Sequence, residues 1–259
     1  PFKEGVDGSS PSGLTKIMST IAKFYRNKKV LITGATGFKG AWLCAWLLNL
    51  GSKIKGIGYS PNSNQKLFHS LGLSKKVNLT LFDIRDKKKL ESVIKSFKPS
   101  IIFHLAAQPL VSESYKNPYQ TFDINFRGTL NIIDISMKYK FIKSIISVTS
   151  DKCYENLNKI KQYSEKDRLG GIDPYSASKA SAELLIRSYR KSFFYKTGIS
   201  SVRAGNVIGG GDWSKNRLIP DCIRYINKNL KIRLRNPNYN RPWQFVLEPL
   251  KGYLILAKK

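Results

Sequence analysis

Tyr175 and Lys179 lie four residues apart in the segment PYSASKA, a spacing that puts both side chains on one face of a helix. A phenol with a pKa of about 10 is a weak base at neutral pH, and a neighbouring ammonium favours its phenolate. Such a pair can remove the proton of a substrate hydroxyl. The same spacing is common on surface helices, so its meaning depends on what lies around it.

Thr149, Ser150, Asp151 and Lys152 follow one another at the end of an apolar run. In open α/β sheets, ligands bind beyond the carboxyl ends of the strands, which is where these polar residues would lie. The Ser150 hydroxyl can hydrogen-bond a substrate hydroxyl. Asp151 and Lys152 add an acid and a base that a simple dehydrogenase does not need. The alternative for these two residues is a solvated ion pair at a strand end.

Gly34, Gly37 and Gly40 follow the apolar sequence VLIT with a G-x-x-G-x-x-G spacing. Gly34 permits the tight turn, Gly37 lets the backbone approach a phosphate, and Gly40 lets a helix pack closely on the strand. A pyrophosphate would then lie over the helix N-terminus and its free N–H groups. Because a strand pattern precedes the turn and a helix pattern follows it, the segment predicts a dinucleotide site.

The adenosine-ribose end of this site has a weaker signal. An acidic residue closing the second strand would bind the ribose 2′-hydroxyl and specify NAD, but Gly58, Tyr59 and Ser60 stand there, with no acid and no arginine for a 2′-phosphate. Asp83, just after the third strand, can accept a hydrogen bond from the adenine amine. It can equally be an ordinary N-cap or turn residue.

Alternating apolar and helical patterns predict the fold. Runs rich in β-branched residues predict buried parallel strands at 30–33, 53–59, 77–82, 100–106, 144–149 and 199–204. Helical patterns lie at 38–50, 63–72, 86–97, 117–139 and 174–195. This order predicts βαβ crossovers and an α/β fold with a Rossmann-like, doubly wound parallel sheet.

The two ends of the chain differ in composition from this central part. Residues 1–27 begin with a Gly/Ser/Pro-rich stretch and are predicted to be a flexible leader. Residues 28–204 form the predicted dinucleotide-binding domain. Residues 205–259 are rich in Gly, Pro, Arg and Trp, which is typical of loops that hold a ligand. The last residues predict a helix that stops soon after it begins, so we expect a smaller lobe truncated at its C-terminus.

Composition excludes several classes of protein. At 259 residues and 41% hydrophobic content, the chain is typical of a globular α/β protein. No apolar run reaches the roughly 20 residues that cross a bilayer, and residues 1–27 lack a secretory signal. Cys44, Cys153 and Cys222 have no metal-ligand spacing. We expect a cytoplasmic protein without disulfides, metal or membrane contact.

The net charge is +28, from 45 Lys and Arg residues against 17 Asp and Glu residues. Nucleic-acid-binding proteins often show such an excess, clustered on one face. Here the lysines are spread over helices such as 86–97, and no nucleic-acid motif is present. We favour a solvated basic surface, which would attract an anionic nucleotide substrate, and expect no nucleic-acid partner.

Longer segments resemble a known family. From residue 28 onward, the chain resembles the extended short-chain dehydrogenase/reductases that act on nucleotide sugars, and within them the branch that dehydrates CDP-glucose. The most specific segments are TGATGFKG (33–40), HLAAQPLV (104–111), SDKCYEN (150–156), DPYSASKASAE (173–183), RAGNVIGGGDW (203–213), RLIPDC (217–222) and RPWQFVLEPLKGYL (241–254).

The resemblance implies that CDP-glucose is converted to CDP-4-keto-6-deoxyglucose and water with tightly bound NAD. Tyr175 would remove the C4 hydroxyl proton while the C4 hydride passes to NAD. A base then removes the C5 proton, Asp151 helps the C6 hydroxyl leave as water, and the hydride returns to C6. Related dehydratases have Glu where this chain has Lys152, so the C5 base is open, and we favour Lys152.

By the same resemblance, the predicted catalytic residues are Ser150, Asp151, Lys152, Tyr175 and Lys179. The predicted cofactor contacts, besides Tyr175 and Lys179, are Gly34, Thr36, Gly37, Phe38, Gly40, Tyr59, Asp83, Ile84, Leu105, Ala106 and Ala107. The predicted substrate contacts are Gln108, Asn125, Asn206, Arg217, Leu218 and Arg241. The arginines suit a diphosphate, although an internal salt bridge is their structural alternative.

The resemblance further implies a homo-oligomer and makes residues 205–259 part of a nucleotide-sugar-binding lobe. Three other functions stay open. A nucleotide-sugar 4-epimerase or reductase would use the same scaffold, although an epimerase has no need of Asp151 and Lys152. A truncated NAD-binding protein would bind the cofactor without turnover. A nucleic-acid-binding protein is favoured by charge alone.

Overall fold

The computed structural model of the chain describes residues 11–59, 65–155, 162–194, 197–234 and 237–259. Its main sheet consists of β1 (Lys29–Thr33), β2 (Lys53–Gly58), β3 (Asn78–Leu81), β4 (Ile101–His104), β5 (Ser144–Val148) and β6 (Gly198–Val202). All neighbouring strands in it are parallel, in the order β3-β2-β1-β4-β5-β6. The predicted strands and the doubly wound Rossmann-like fold are therefore confirmed.

The helices of the described residues are α1 (Pro11–Tyr25), α2 (Phe38–Asn49), α3 (Lys66–Ser70), α4 (Lys87–Phe97), α5 (Val111–Lys116), α6 (Pro118–Phe122), α7 (Gly128–Met137), α8 (Pro174–Ser192), α9 (Leu218–Asn227) and α10 (Leu247–Lys258). A π-helical turn over Asp123–Arg127 joins α6 to α7, so the helix predicted at 117–139 exists in three parts. The predicted limits at residues 63 and 195 lie outside the described residues. Among the helices described, none has the length and apolarity to cross a membrane.

Residues 205–259 contribute to two different parts of the molecule. Strands β7 (Asn206–Ile208) and β8 (Trp243–Phe245) form a separate parallel pair, and α9 lies between them in the chain. Helix α10 packs against β8 and also against α1, α2, β5 and β6. The final helix is therefore part of the Rossmann core, and the division into a cofactor domain and a partial substrate lobe at residue 205 stays a prediction.

The sheet separates two apolar clusters. Successive strand residues face opposite sides, so Ile32 and Phe103 lie in one cluster while Leu31 and Ile102 lie in the other. All four side chains are fully buried. The first cluster includes residues of α1, α2 and α10, and the second includes residues of α4, α7 and α8. Strands covered on both faces explain why the sequence shows continuous apolar runs there.

The prediction of a flexible leader was wrong for residues 11–25, which form α1. Ile21 and Tyr25 of this helix are buried, and the Tyr25 hydroxyl donates a hydrogen bond of 2.9 Å to the carbonyl oxygen of Leu254. Leu254 belongs to α10, at the other end of the chain. The apolar face of α1 is therefore covered by a segment more than two hundred residues away, which local composition does not reveal. Residues 1–10 lie outside the described residues.

Candidate active site

A deep cleft opens where β1, β4 and β5 end. Thr33 pairs with His104 across β1 and β4, so the segments that follow these two strands begin side by side. This is the point where the strand order reverses, the usual ligand site of an open parallel sheet. The predicted residues that line the cleft are Gly34, Thr36, Gly37, Phe38, Gly40, Tyr59, Asp83, Ile84, Leu105, Ala106, Ala107, Ser150, Asp151, Lys152, Tyr175, Lys179, Asn206, Arg217, Leu218 and Arg241.

Two predicted substrate contacts, Gln108 and Asn125, do not line this cleft. The Gln108 amide donates hydrogen bonds to the Leu110 carbonyl and the Thr121 hydroxyl, at 3.0 and 2.9 Å. Asn125 is buried, accepts a hydrogen bond of 2.8 Å from the Gln108 backbone N–H and donates one of 2.9 Å to Ser178 Oγ. Both amide groups are therefore committed to internal hydrogen bonds behind the cleft wall.

The glycine-rich turn depends on the absence of side chains. Gly34 has a φ of +70°, and a Cβ there would lie 2.8 Å from the backbone nitrogen of Ala106. A Cβ on Gly40 would lie 2.0 Å from the carbonyl oxygen of Gly34. The turn therefore brings β1, the start of α2 and the segment after β4 into direct contact.

The first turn of α2 is open to the cleft. Its N-cap is Gly37, which has no side chain to cap the helix. The helix N-terminus carries partial positive charge and N–H groups without helical acceptors, so it suits an anion. A Cβ on Gly37 would approach only the Gly34 carbonyl oxygen among the described residues, and the cleft beside it is otherwise open. These features fit the pyrophosphate of a dinucleotide.

Asp83 lines the cleft but is already bound to a cation. Arg85 donates to both of its carboxylate oxygens, with distances of 2.9 and 2.6 Å, and also to Asp123 at 2.7 Å. The hydrogen bonds from Arg85 hold the pKa of Asp83 below its ordinary value. Tyr59, more than half exposed, forms the neighbouring edge. These contacts support the interpretation of Asp83 as an ordinary turn residue. A contact between Asp83 and the adenine amine stays a prediction.

The catalytic pair is carried by α8, whose start is well defined. Asp173 is the N-cap and accepts hydrogen bonds from the backbone N–H and the hydroxyl of Ser176, at 3.0 and 2.6 Å. Pro174 occupies the first helical position, where its missing N–H costs nothing. This cap places Tyr175 in the first turn and Lys179 one turn later, both buried.

Tyr175 and Lys179 both have shifted pKa values. Burial raises the pKa of Tyr175, while a hydrogen bond with Ser150 and the charge of Arg217 act to lower it. Burial, together with the nearby charge of Lys39, lowers the pKa of Lys179 to about 8. The Lys179 ammonium donates to the Val148 carbonyl oxygen at 3.2 Å. The pair is therefore desolvated and held at the end of β5.

Ser150, Asp151 and Lys152 form a compact turn beside Tyr175. The Ser150 hydroxyl donates to Asp151 Oδ1 at 3.1 Å and accepts from the Lys152 backbone N–H at 3.2 Å. The Lys152 ammonium lies 3.3 Å from the same Asp151 oxygen, and both side chains are about one-third exposed. The structure therefore brings the predicted acid and base together as an ion pair that opens into the cleft.

The predicted diphosphate contacts lie in the segment after β6, which lines the same cleft. Arg217 pairs with Asp212 at 3.2 Å, and Asn206 donates to the Pro242 carbonyl oxygen at 3.3 Å. Arg241 is exposed and has no ion pair within the part of the chain that the structure describes. The internal salt bridge considered for the arginines is thus present at Arg217 and not at Arg241.

Sequence analysis missed Lys39, which also lines the cleft. It is the second residue of α2, where the helix dipole disfavours a cation, and this unusual position was its signal. Burial and the charge of Arg217 lower the pKa of Lys39 to about 8. Lys39 adds to the positive field of a cleft that would receive anionic ligands.

A buried carboxylate, Glu183, was also missed. It lies on α8 one turn after Lys179 and accepts hydrogen bonds from Thr149, Ser201 and Arg203, the last two at 2.7 and 2.8 Å. Burial alone would raise the pKa of Glu183, but these hydrogen bonds outweigh it and hold the pKa low. The i, i+4 spacing from Tyr175 through Lys179 to Glu183 was visible in the sequence. The hydrogen-bond partners of Glu183, which come from the ends of β5 and β6, were not.

Comparison with known proteins identifies the family. The family model of GDP-mannose 4,6 dehydratase matches residues 31–259. The chain belongs to this family. It is 45% identical over 243 residues to the CDP-glucose 4,6-dehydratase of Salmonella typhimurium, covering 91% of the chain and 68% of that relative. It is 31% identical over 246 residues to the dTDP-D-glucose 4,6-dehydratase of Dictyostelium discoideum, covering 90% of the chain and 56% of that relative.

Solved structures agree with this placement in the GDP-mannose 4,6-dehydratase family. The dTDP-glucose 4,6-dehydratase of Bacillus anthracis, solved in complex with NAD, has a TM-score of 0.78 and 25% identity, covering 90% of this chain and 72% of that chain. An epimerase of Methanothermobacter thermautotrophicus has a TM-score of 0.84 and 23% identity, and the match covers 96% of this chain and 73% of that chain. This likeness shows the shared fold. The predicted resemblance to nucleotide-sugar dehydratases is therefore confirmed.

Proposed function

We propose that this chain is a CDP-glucose 4,6-dehydratase that uses NAD. The observation that carries the proposal is the joint presence, in one cleft, of Tyr175 beside Ser150, the Asp151–Lys152 ion pair, and the uncapped first turn of α2. An epimerase needs the first and last of these features but has no use for the acid–base pair. The 45% identity to the Salmonella enzyme supports CDP-glucose as the substrate.

The residues that would hold NAD are those of the glycine-rich turn for the pyrophosphate and Lys179 for the nicotinamide ribose. Bound there, NAD would supply the hydride acceptor and donor that a dehydratase needs within one turnover. Leu105, Ala106 and Ala107 form the wall after β4, beside Gly34.

Tyr175 accepts the proton of the sugar C4 hydroxyl in this proposal. Burial raises the pKa of Tyr175, and the hydrogen bond with Ser150 and the charge of Arg217 offset part of that rise in favour of the phenolate. Ser150 can hold the same substrate hydroxyl and so align it with the phenol oxygen. Tyr175 is buried, so the proton moves in a site from which bulk water is excluded.

Asp151 and Lys152 perform the elimination. An acid must give a proton to the leaving C6 hydroxyl and a base must remove the C5 proton. The structure holds the two side chains 3.3 Å apart, from Nζ to Oδ1, so a candidate acid and a candidate base stand at one point of the cleft.

The diphosphate of the substrate would bind at Arg217, Arg241 and Asn206, which line the same cleft as Tyr175. A guanidinium offers two parallel N–H donors to a phosphate, which suits both arginines. Arg217 is held by Asp212, so it is oriented before substrate binds. Gln108 and Asn125 would act indirectly, because their hydrogen bonds reach Ser178 of α8 and not the cleft.

The experiment that tests the proposal is incubation of the purified chain with CDP-glucose in heavy water, followed by mass spectrometry and NMR of the sugar. We expect loss of one water and one deuterium retained at C5. Tyr175→Phe should lower turnover about a thousandfold. Asp151→Asn should slow loss of water, and Lys152→Ala should slow deuterium incorporation. An epimerised product without loss of water would contradict the proposal.

A second candidate, left open by the sequence, is a chain that binds NAD without turnover. It predicts unchanged CDP-glucose together with NAD recovered after denaturing the purified chain. Absence of both product and NAD would contradict both candidates.

We also propose a cytoplasmic homo-oligomer. Tyr119 and Phe122 of α6 are exposed, and with Phe126 they form an apolar patch beside Ser181 of α8. Exposed aromatic patches of this kind are typical of protein interfaces. The three cysteines are free, which supports a reducing compartment. Light scattering should show a mass above one chain, reduced to one chain by Tyr119→Glu.

A further inference from the structure

His104 is a buried imidazole that the proposed reaction does not use. It is the last residue of β4, next to the segment that lines the cleft, and is only 2% exposed. Nδ1 lies 2.7 Å from Thr33 Oγ1, and Nε2 lies 3.2 Å from Thr129 Oγ1. Each ring nitrogen therefore has one hydroxyl partner, and those partners determine which nitrogen carries the proton.

The proton of Thr129 is committed elsewhere. Its hydroxyl lies 2.6 Å from the backbone carbonyl oxygen of Asn125, which can only accept a hydrogen bond. The Thr129 oxygen must then accept from His104, so Nε2 carries the proton. This leaves Nδ1 as an acceptor, and the Thr33 hydroxyl donates to it. Thr33 Oγ1 in turn accepts the backbone N–H of Ala106 at 3.2 Å.

The same chain of hydrogen bonds continues to the catalytic helix. The side chain of Asn125 donates to Ser178 Oγ at 2.9 Å, and the Ser178 hydroxyl donates to the Tyr175 backbone carbonyl oxygen at 2.7 Å. Asn125 also holds the backbone of Gln108, after β4, through contacts of 2.8 and 3.2 Å. The network thus joins the cofactor side of the cleft to the first turn of α8.

The surroundings of His104 oppose a second proton. Burial lowers the pKa of His104 to about 3, and the positive charge of Lys179 on α8 acts in the same direction. A protonated ring would also present an N–H to Thr33, whose hydroxyl would have to turn its proton away. His104 therefore stays in one neutral form over the range in which an enzyme works.

We propose that His104 is a positioning residue, a neutral imidazole protonated on Nε2 that holds the Tyr175 turn of α8 in register with the cofactor side of the cleft through Thr129, Asn125 and Ser178. Its effect on catalysis rests on the proposed function, whereas its tautomer and its coupling to α8 do not. The directed hydrogen bonds give the network one arrangement, which a buried apolar contact would not do.

The first test is nitrogen NMR of the free chain, which contains only two histidines. Long-range spectra of a nitrogen-15 sample distinguish the two tautomers, and loss of one signal in His69→Gln assigns the other to His104. We expect protonated Nε2 and bare Nδ1, unchanged between about pH 5 and pH 8. Protonated Nδ1, or a charged ring within that range, would overturn the proposal.

The second test compares two substitutions of the same residue. Thr129→Val keeps the volume and removes the hydroxyl, whereas Thr129→Ser keeps the hydroxyl and removes a methyl group. We expect Val, not Ser, to shift the backbone amide signals of Tyr175 and Ser178 in the free chain. A larger shift in the Ser variant would indicate simple packing and would overturn the coupling.

The third test uses turnover of CDP-glucose. Thr129→Val should lower kcat about ten- to a hundredfold with little change in KM, because the misplaced Tyr175 turn affects the reacting geometry more than substrate binding. Thr129→Ser keeps the hydroxyl, so this variant should retain most of the wild-type kcat. Ser136→Ala removes another buried hydroxyl of α7, bonded to Ile132, and serves as the control with unchanged kcat. A chain that never turns over CDP-glucose would contradict the proposed function, while the two NMR tests would still decide the role of His104.

Discussion

The ammonium of Lys179 donates its hydrogen bond to the carbonyl oxygen of Val148, 3.2 Å away at the end of β5. Lys179 is 6% exposed, and burial lowers its pKa to about 8. A buried ammonium with one carbonyl partner is poorly solvated, so the free protein pays a stability cost to keep a cation at this position. A ligand that replaces the lost solvation would recover part of that cost.

Lys179→Met should therefore stabilise the free chain while abolishing turnover. Because folding lowers this pKa from its ordinary 10.5, the folded chain binds the proton less tightly than the unfolded chain. The cost is complete below about pH 8 and disappears as the pH rises to about 10.5. At pH 7 we expect the Met variant to be about 2 kcal/mol more stable in urea unfolding. Lys88→Met, at an exposed position of α4, is the control and should show no such pH-dependent difference.

Gly40→Ala should destabilise the fold and remove cofactor binding together. The new Cβ would lie 2.0 Å from the Gly34 carbonyl oxygen and 2.9 Å from the Ala35 Cα, both backbone atoms of the turn. We expect a loss of about 2 kcal/mol or more in thermal unfolding and no NAD in the purified protein. The matched control is Gly252→Ala in α10, where a Cβ meets nothing within 4 Å. That variant should gain about 0.8 kcal/mol from helix propensity.

Glu183→Gln should weaken the attachment of α8 to β6. It removes the charge partner of Arg203, which lies 2.8 Å away and whose side chain is only 15% exposed. We expect a loss of about 3 kcal/mol at pH 7, because a guanidinium is left buried without its carboxylate. The pKa of Glu183 is lowered in the folded chain, so the difference from wild type should be complete above about pH 4.5 and shrink below it.

The Glu183 prediction is checked by urea unfolding at several pH values. Glu91→Gln is the control, because Glu91 forms an exposed pair with Lys138 that solvent screens. Equal losses of stability in the two variants would show that the buried Glu183–Arg203 pair stabilises the fold no more than the surface pair does.

Tyr253→Phe should stabilise the free chain by about 1 kcal/mol. The Tyr253 hydroxyl is buried and has no hydrogen-bond partner within the described part of the chain, although the residue lines the cleft. The control is Tyr25→Phe, which removes a hydroxyl bonded to the neighbouring Leu254 carbonyl and should cost about 1 kcal/mol. Calorimetry of both variants checks whether each substitution raises or lowers the free energy of unfolding. A loss in Tyr253→Phe would mean that an ordered water satisfies this hydroxyl.

The sequence predicted the strands of the parallel sheet and most residues of the cleft because both depend on local patterns. Strands covered on both faces leave continuous apolar runs, such as that of β1. A glycine-rich turn between a strand pattern and a helix pattern indicates a phosphate site, which the turn alone would not do. Asp173 and Pro174 likewise mark the start of α8 in the sequence itself, and so locate Tyr175 in its first turn.

Contacts between distant segments had no such local signal. Gln108 and Asn125 have residue types suited to a substrate, but the fold turns both amides toward each other and toward Ser178. Whether an amide faces a cleft or a neighbouring helix depends on how two elements pack. Residues adjacent in the sequence do not determine that packing.

By itself, the sequence determined the family, through long segments that resemble it. It also determined the Rossmann-like sheet and the chemical groups of the cleft, which follow from residue type and spacing along one strand or helix. Only the tertiary structure decided that α1 packs on α10, that Lys39 joins the cleft, and that His104 is locked between Thr33 and Thr129. The physical reason is that burial and hydrogen-bond partnership are set by side chains brought together from distant parts of the chain.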